Sequence, residues 1–361
     1  MESNLVKFAN NVDYHLFLQL FEHVEATAQL DKQAVAAQKL KILSKTYLFD
    51  KISTTAAEAK VENTDEDKKA FDEKLATLKA ESDKVISSID KASDEERESV
   101  FQYAKALYEN GKYSESQKIL KEISTVMKSR QLLSSQWGLL NISVLTNNYK
   151  AATEQFETLE AMIYRERISE SEKLVQRNML LNVALFLYKK HHSAEDLFSF
   201  FHKYESVLAA GSIHLLRYYI AVALLKADFD VLNGSILPII QSESYRYQDS
   251  FTQFIEALLE DFDYERAEGF ISKMESLCDK DYFLSTVKDQ ISTAAKNLVL
   301  SVYGIVHKNQ DISPFVKKLG GTQADVGTFK HEPLKNNEDK NIENRLKDLE
   351  QATSSFLESL N

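Results

Sequence analysis

The stretch EALLEDFDYERAEGFISKM, residues 256–274, reads as an amphipathic helix that stops and then starts again. Leu258, Leu259 and Phe262 continue an apolar face that begins at Phe251, and Asp261 and Asp263 bracket a break in the pattern. Neither short helix can bury its apolar face alone, so the pattern predicts a helix pair that stacks on another pair. The second apolar face comprises Ala267, Phe270, Ile271 and Met274.

The same pattern occurs twice earlier, in YAKALYENGKYSESQKIL (residues 103–120) and in ISVLTNNYKAATEQFETL (residues 142–159). Each time a polar turn is followed by Tyr, by a small residue three positions later, and by an apolar residue three or four positions after that. We expect the small residue to let the two helices approach closely and the Tyr to close the turn against the preceding helix. The three sets are Tyr113–Ser116–Leu120, Tyr149–Ala152–Phe156 and Tyr264–Ala267–Phe270.

The spacing of these turns indicates the fold class. Tyr113 and Tyr149 are 36 residues apart, close to the period of about 34 residues in tetratricopeptide repeats. The chain of 361 residues holds only 9 Gly and 3 Pro, which favours long helices over a turn-rich β fold. The sequence therefore predicts an all-α helical-repeat (tetratricopeptide-like) solenoid.

Composition narrows the function classes. The formal net charge of -11 disfavours a dedicated nucleic-acid binder, because nonspecific affinity for phosphates depends on Lys and Arg. A single cysteine, Cys278, excludes an intramolecular disulfide and suits a reducing compartment. The first residues lack the pattern of a secretory signal, and no long uninterrupted apolar run predicts a membrane span. We expect a soluble protein of the cytosol or nucleus.

Three further segments have their own patterns. Residues 58–98 are dense in charge with a thin apolar seam through Phe71, Leu75 and Leu78, which predicts a solvated helix lying across neighbouring helices or a protruding arm for a partner. Residues 282–308 carry one long apolar stripe that predicts a closing helix. The tail carries a heptad seam typical of helical bundles, made of Ile342, Leu346, Leu349, Thr353, Phe356 and Leu360.

The stretch QSESYRYQDSFTQFIEALLEDFDYERAEGF, residues 241–270, resembles the centre of the family formed by the e subunits of eukaryotic translation initiation factor 3. Its Ser-Tyr-x-Tyr block, with Ser244, Tyr245 and Tyr247, precedes the Phe-Asp-Tyr turn as in that family. The repeats quoted above, the block around Trp137 and the segment DKDYFLSTVKDQI, residues 279–291, are similar to other parts of it. The order of these blocks agrees over roughly residues 1–319.

The resemblance implies a PCI protein, in which a helical-repeat arm precedes a winged-helix module. It divides the chain into N-terminal helices with the charged long helix (1–98), a repeat arm (99–240), a PCI module with a truncated winged helix (241–320), a loop (321–340) and an assembly helix (341–361). It implies a non-catalytic, cytoplasmic scaffold subunit in a hetero-oligomer with sister PCI subunits, and indirect contact with the small ribosomal subunit. RNA contact stays open.

The resemblance also implies where partners bind. In the PCI region we expect contacts through Tyr245, Tyr247, Ile312 and Phe315, and in the bundle helix through the heptad positions Ile342, Leu346, Leu349, Phe356 and Leu360. One departure qualifies this expectation. Residues 320–340 hold too few apolar side chains to build the second helix and the strands of a winged helix, so this module is expected to be reduced or lost.

The sequence contains no motif that is typical of catalysis, phosphate binding or metal binding. Phosphate-binding glycine loops, H-E-x-x-H and C-x-x-C are absent from the sequence,. The adjacent His191 and His192 would not face the same way on a helix, and Cys278 fits a small core residue. Asp261 and Asp263 flank a turn and can accept local backbone N–H groups. We expect no enzyme activity, no metal and no cofactor.

A cluster of tyrosines near two arginines has three interpretations. Tyr218, Tyr219, Tyr245 and Tyr247, with Arg217 and Arg246, could stack the bases of single-stranded RNA, form a protein-binding groove, or pack within the repeat core. Mixed charge around them favours the core. Two alternative functions also stay open: a PCI scaffold of the proteasome lid or signalosome, and a free-standing repeat adaptor that binds peptides.

Overall fold

The computed structural model describes residues 2–27, 32–61, 66–86, 89–127, 129–165, 168–191, 193–307, 313–320 and 328. Within these ranges the chain is built from α-helices with short 3₁₀ and π-helical turns, and it contains no strand. The predicted all-α fold is therefore confirmed.

The first five helices form the N-terminal part. They are α1 (Glu2–Asn11), α2 (Tyr14–Thr27), α3 (Lys32–Leu43), α4 (Phe49–Ala59) and α5 (Glu66–Ile86). The repeat arm continues with α6 (Asp94–Glu109), α7 (Tyr113–Ser124), α8 (Ser129–Leu145), α9 (Tyr149–Arg165), α10 (Glu170–His191), α11 (Ala194–Lys203), α12 (Glu205–Gly211) and α13 (Leu216–Lys226). The last group is α14 (Phe229–Val231), α15 (Leu237–Glu243), α16 (Ser250–Leu259), α17 (Tyr264–Cys278), α18 (Lys288–Val306) and α19 (Ser313–Lys318).

All three predicted turns join antiparallel neighbours, and each second helix begins at its Tyr. Two positions before that Tyr, the backbone takes a left-handed conformation, with φ 82° at Gly111, 58° at Asn147 and 52° at Phe262. In each connection this left-handed residue follows the end of the first helix and helps to reverse the chain.

The small residue of the pattern sits at the contact between paired helices. Ser116, Ala152 and Ala267 are each 0% exposed. The hydroxyl of Ser116 donates to the carbonyl of Ala104 in α6 at 2.7 Å, so the two backbones approach within the reach of a single small side chain. The predicted close approach is confirmed at this pair.

The predicted packing of the Tyr ring on the preceding helix is seen at the first turn. The ring of Tyr113 packs against Tyr108 of the preceding helix, with centroids 5.7 Å apart. Tyr149 instead donates its hydroxyl to Asn147 in its own turn. The ring of Tyr264 packs on Tyr303 of α18 and Phe315 of α19. The difference arises because the helix that follows α17 offers an aromatic surface.

A fourth turn of the same geometry escaped the sequence pattern. Ala227 has φ 54°, Asp228 caps the next helix by accepting Val231 N–H at 3.0 Å, and Phe229 takes the place of Tyr. The position of the small residue holds Leu232, which is fully buried. The helix widens there into a π-helical turn over Leu232–Ile236.

Replacing Gly111 by alanine is expected to destabilise the first turn. At φ +82° an added Cβ would lie 2.9 Å from Cδ2 of Leu48, and a left-handed non-glycine residue costs about 1–2 kcal/mol before any clash. We expect urea denaturation to show a loss of about 2 kcal/mol. The matched control is Gly269→Ala within α17, where nothing lies within 4 Å of the added Cβ; it should stabilise by about 0.5–1 kcal/mol. Equal effects of the two substitutions would contradict the prediction.

The charged helix α5 lies on its neighbours and does not protrude. Phe71 is buried, and its ring stacks on Tyr47 with centroids 4.3 Å apart and packs on Phe49 at 5.5 Å. Most other side chains of α5 are exposed. Of the two interpretations of residues 58–98, the solvated helix across neighbouring helices is confirmed.

The main core joins the N-terminal helices to the second half of the chain. Phe8 of α1 contacts His214 at 4.9 Å and Phe283 at 5.9 Å between ring centroids. The hydroxyl of Tyr282 donates to Gln19 of α2 at 3.3 Å. One cluster of buried side chains runs from Phe8 to Leu319, and α6 to α8 also carry two smaller clusters.

The closing helix begins later than its apolar stripe predicts. The stripe starts at Phe283, but α18 begins at Lys288. Before it, the Asp281 carboxylate accepts the N–H groups of Phe283 and Leu284 at 2.9 and 3.2 Å. These bonds hold residues 282–287 as turns, so the predicted helix over 282–308 was wrong at its start.

Candidate interaction surfaces

An aromatic cluster closes the C-terminal end of the described fold. Tyr303 of α18 stacks on Phe315 of α19, with ring centroids 4.0 Å apart and planes 21° apart. Tyr264 meets Tyr303 edge-on at 5.0 Å. Val316 of α19 and Leu319, just after the helix, are also buried. This short helix, which the resemblance identifies as the start of a winged helix, is thereby fixed on the end of the repeats.

Two exposed apolar side chains adjoin this cluster along the chain. Phe262, in the turn before Tyr264, is 51% exposed, and Val306 near the end of α18 is also 51% exposed. We call Phe262, Tyr264, Tyr303, Val306 and Phe315 the end face. Exposed apolar groups next to an aromatic cluster are typical of a protein contact.

The predicted PCI-region residues fall into different environments. Tyr245 is 81% exposed and is free to meet a partner, whereas Tyr247 is buried at 8%. The hydroxyl of Tyr247 donates to Asp249 at 2.7 Å. Phe315 is half-buried against Tyr303, and Ile312 lies outside the described residues. Of the three that the structure describes, Tyr245 and Phe315 lie at or near the surface.

The tyrosine cluster is largely a core feature. Tyr218 and Tyr219 are buried, with hydroxyls donating to Asp281 at 2.8 Å and to Glu205. Their faces, like that of Tyr247, cannot stack on a base. The interpretation as repeat core is confirmed for these three residues, and the stacking platform is wrong for them.

A buried ionic network lies at the start of α16. Arg217 of α13 donates from Nε to Asp249 at 2.7 Å and from a guanidinium nitrogen to Asp281 at 3.2 Å. The three side chains are only 11%, 8% and 7% exposed. Burial lowers the pKa of Arg217, but the surrounding Tyr247, Asp249, Tyr218 and Asp281 more than offset this and hold that pKa well above its ordinary value,.

Each carboxylate of this network also accepts hydrogen bonds from backbone N–H groups. Asp249 caps α16 by accepting Phe251 N–H and Thr252 N–H at 2.9 and 3.0 Å, and Asp281 forms the turn before α18. Sequence reasoning named Arg217 but missed both partners. The capping position of Asp249 just before a helical stripe was a usable signal; Asp281 offered none, because its partner lies 64 residues away.

The side chains considered as candidate reactive groups are either buried or engaged in local contacts. Cys278 is buried, and burial raises the pKa of its thiol to about 12, so the thiolate required of a nucleophile is scarce at neutral pH. Asp263 accepts Arg266 N–H at 3.0 Å, the local capping that its position predicts, and Asp261 pairs with the Arg266 guanidinium at 2.6 Å. His192 and the side chain of His191 lie outside the described residues.

The predicted bundle helix cannot be placed, because the whole of residues 329–361 lies outside the described residues. This range contains Ile342, Leu346, Leu349, Phe356 and Leu360. The predicted loop at 321–340 falls in the same part of the chain except for residue 328, so both expectations stay predictions.

Within the described ranges, no single helix has the length and apolar character to cross a membrane. One pair, Glu205–Gly211 with Ile213–Lys226, passes by length and composition, but it is bent by 118°. The apolar side chains of this pair form part of the main core.

Comparison with known proteins agrees with the resemblance. The family model described as "eIF3 subunit 6 N terminal domain" matches residues 5–164. The chain is 25% identical to the E subunit of eukaryotic translation initiation factor 3 from Emericella nidulans, over 88% of the chain and 80% of the relative. The protein of the same name from Botryotinia fuckeliana is 24% identical over 89% of the chain and 80% of its own length. That from Drosophila persimilis is 26% identical over 85% and 79%.

Proposed function

We propose that the chain, which is similar to the E subunits of eukaryotic translation initiation factor 3 over most of its length, acts as a non-catalytic scaffold within that factor. In this role it holds sister PCI subunits and supports assembly of the preinitiation complex on the small ribosomal subunit. The proposal places the protein in the cytoplasm, in a hetero-oligomer, without a cofactor.

The end face carries the proposal. A helical solenoid buries the face of each helix pair on the next pair, so the last pair needs either a cap or a partner. Here α19 covers part of the last pair, and Phe262 and Val306 stay exposed beside it. An adjoining PCI subunit could cover these side chains, and Tyr245 would add a second exposed aromatic contact in the same module.

The test is affinity purification of the tagged full chain, followed by identification of the proteins that come with it. The proposal expects initiation factor 3 subunits together with ribosomal proteins. Recovery of proteasome-lid or signalosome subunits would replace it with the sister scaffold function. A monomer that binds only short peptides would replace it with the adaptor function.

The substitution Leu349→Asp is expected to weaken incorporation into the complex while leaving the arm folded. Burying a leucine in a helical bundle contributes roughly 1.5–3 kcal/mol, which corresponds to a loss of at least about tenfold in affinity. The yield of sister subunits that co-purify with the variant measures its incorporation into the complex. Gln351→Asp is the matched control, because it introduces the same charge away from the heptad seam. Normal co-purification of the Leu349 variant would rule out the assembly helix.

A further inference from the structure

A cationic cleft between α1, the segment before α16, and α17 is not used by the proposed scaffold contacts. Two adjoining cavities, of about 440 and 510 Å³, share Lys7 and Arg246 in their walls. Lys273 of α17 adds a further cation to the wall of the larger one, where Arg217 also lies but is balanced by the lining acid Asp249.

Lys7 and Arg246 are close enough for their positive charges to repel each other. Burial and, next, the charge of Arg246 lower the pKa of Lys7, and Lys7 Nζ lies 5.3 Å from the centre of the Tyr247 ring. Arg246 donates to Glu243 at 2.7 Å and to the carbonyls of Ala209 and Ala210 at 3.2 and 3.3 Å. These bonds fix the guanidinium in place, and its side chain remains 37% exposed.

The remaining polar walls are neutral hydrogen-bonding groups. Gln248, Ser250 and Gln253 line the larger cavity. The hydroxyl oxygen of Ser250 is buried and has no hydrogen-bond partner among the described residues. A buried hydroxyl without a partner costs free energy, and an anion held by the neighbouring cations would accept a hydrogen bond from it. The lining thus offers positive charge together with donors.

We propose that this cleft binds an acidic segment of a partner protein, through a carboxylate or phosphate group held by Lys7, Arg246, Lys273 and the Ser250 hydroxyl. A protein segment fits better than RNA. Three cations neutralise few phosphates, whereas tight binding of nucleic acid draws on many such contacts, and the chain as a whole carries a net charge of -11. A short anionic side chain needs only this local site. The inference does not depend on which complex holds the chain.

The test measures fluorescence anisotropy of labelled probes with the full chain. The probes are a tetraglutamate peptide flanked by glycines, the same peptide with phosphoserines, the same peptide with glutamines, and oligouridylate. The proposal expects one or both anionic peptides to bind and the glutamine peptide not to bind. The tighter of the two anionic peptides identifies the group as carboxylate or phosphate.

Variants then locate the binding. Lys7→Gln with Lys273→Gln should weaken the peptide about fivefold, from two charge contacts of modest strength. Lys118→Gln with Lys121→Gln changes the net charge equally at exposed positions of α7 and should leave binding unchanged. Since Lys273 is exposed, Lys273→Gln alone reports binding without risk to the fold; we expect about a twofold loss.

Three outcomes would overturn the proposal. The first is that neither anionic peptide binds. The second is that both double variants weaken the peptide equally, which would indicate attraction by net charge. The third is that oligouridylate binds more tightly than the peptides and is lost in the Lys7 and Lys273 variant, which would assign the cleft to RNA.

Discussion

Replacing Arg217 by methionine is expected to destabilise the protein by roughly 3–5 kcal/mol. Methionine fills much of the same volume, but it leaves the Asp249 and Asp281 carboxylates buried without their shared cation. The cost comes from these stranded charges more than from the loss of an attraction. Urea denaturation of native and variant chains measures it.

Arg266 supplies the matched control. It pairs with Asp261 at 2.6 Å, as close as the buried pair, but the two side chains are 46% and 44% exposed. Arg266→Met should therefore cost no more than about 1 kcal/mol. Adding Asp249→Asn and Asp281→Asn to the Arg217 variant should recover part of its loss, since the stranded charges are removed. A loss at Arg217 as small as that at Arg266 would show that the network is well solvated.

The stability of the fold is expected to fall as the pH drops from about 6.5 towards 3, and His214 accounts for part of this loss. Its imidazole is 1% exposed and donates from Nε2 to the Asn182 side chain at 2.9 Å. Burial, with further contributions from Lys7 and Arg217, lowers the pKa of His214 to about 3. Between these pH values the imidazole of His214 is protonated in the unfolded chain but neutral in the folded chain. Lowering the pH therefore favours unfolding.

The size of the effect follows from the shift of the pKa. Each pH unit within the interval removes up to about 1.4 kcal/mol, so the contribution of His214 reaches roughly 4 kcal/mol at its lower end. Other groups titrate in the same pH range, and the substitution His214→Gln separates the contribution of His214 from theirs. Glutamine can still donate to Asn182 but does not titrate. Denaturation at a series of pH values should therefore give a shallower dependence for the variant, and identical slopes would refute the role of His214.

Local features of the fold were predictable because they depend on neighbours in the chain. The position of three turns followed from a polar break, a Tyr and a small residue, and each second helix begins at that Tyr. The fourth turn was missed because Phe229 and Leu232 stand where the pattern has Tyr and a small residue. The turn needs a residue with positive φ, which glycine usually provides. Alanine rarely adopts this conformation, so Ala227 did not indicate a turn.

Features that join distant segments were not predictable. Nothing in the sequence of α1 and α2 identified Phe283 as the partner of Phe8 or Tyr282 as the partner of Gln19. The candidate site shows the same division. Tyr245 and Tyr247 belong to one short block, yet one is exposed and the other buried, because Tyr247 turns inward towards Asp249. A stripe predicts that a face is buried without saying against what.

The contact between Phe8 and Phe283 has a consequence for biosynthesis. Phe8 leaves the ribosome 275 residues ahead of its partner, and at typical rates of synthesis this interval is roughly 15–55 s. During that time the contact between Phe8 and Phe283 cannot form, although His214 becomes available to Phe8 earlier. The nascent chain therefore completes its main core only after the C-terminal helices, which contribute residues up to Leu319, have emerged.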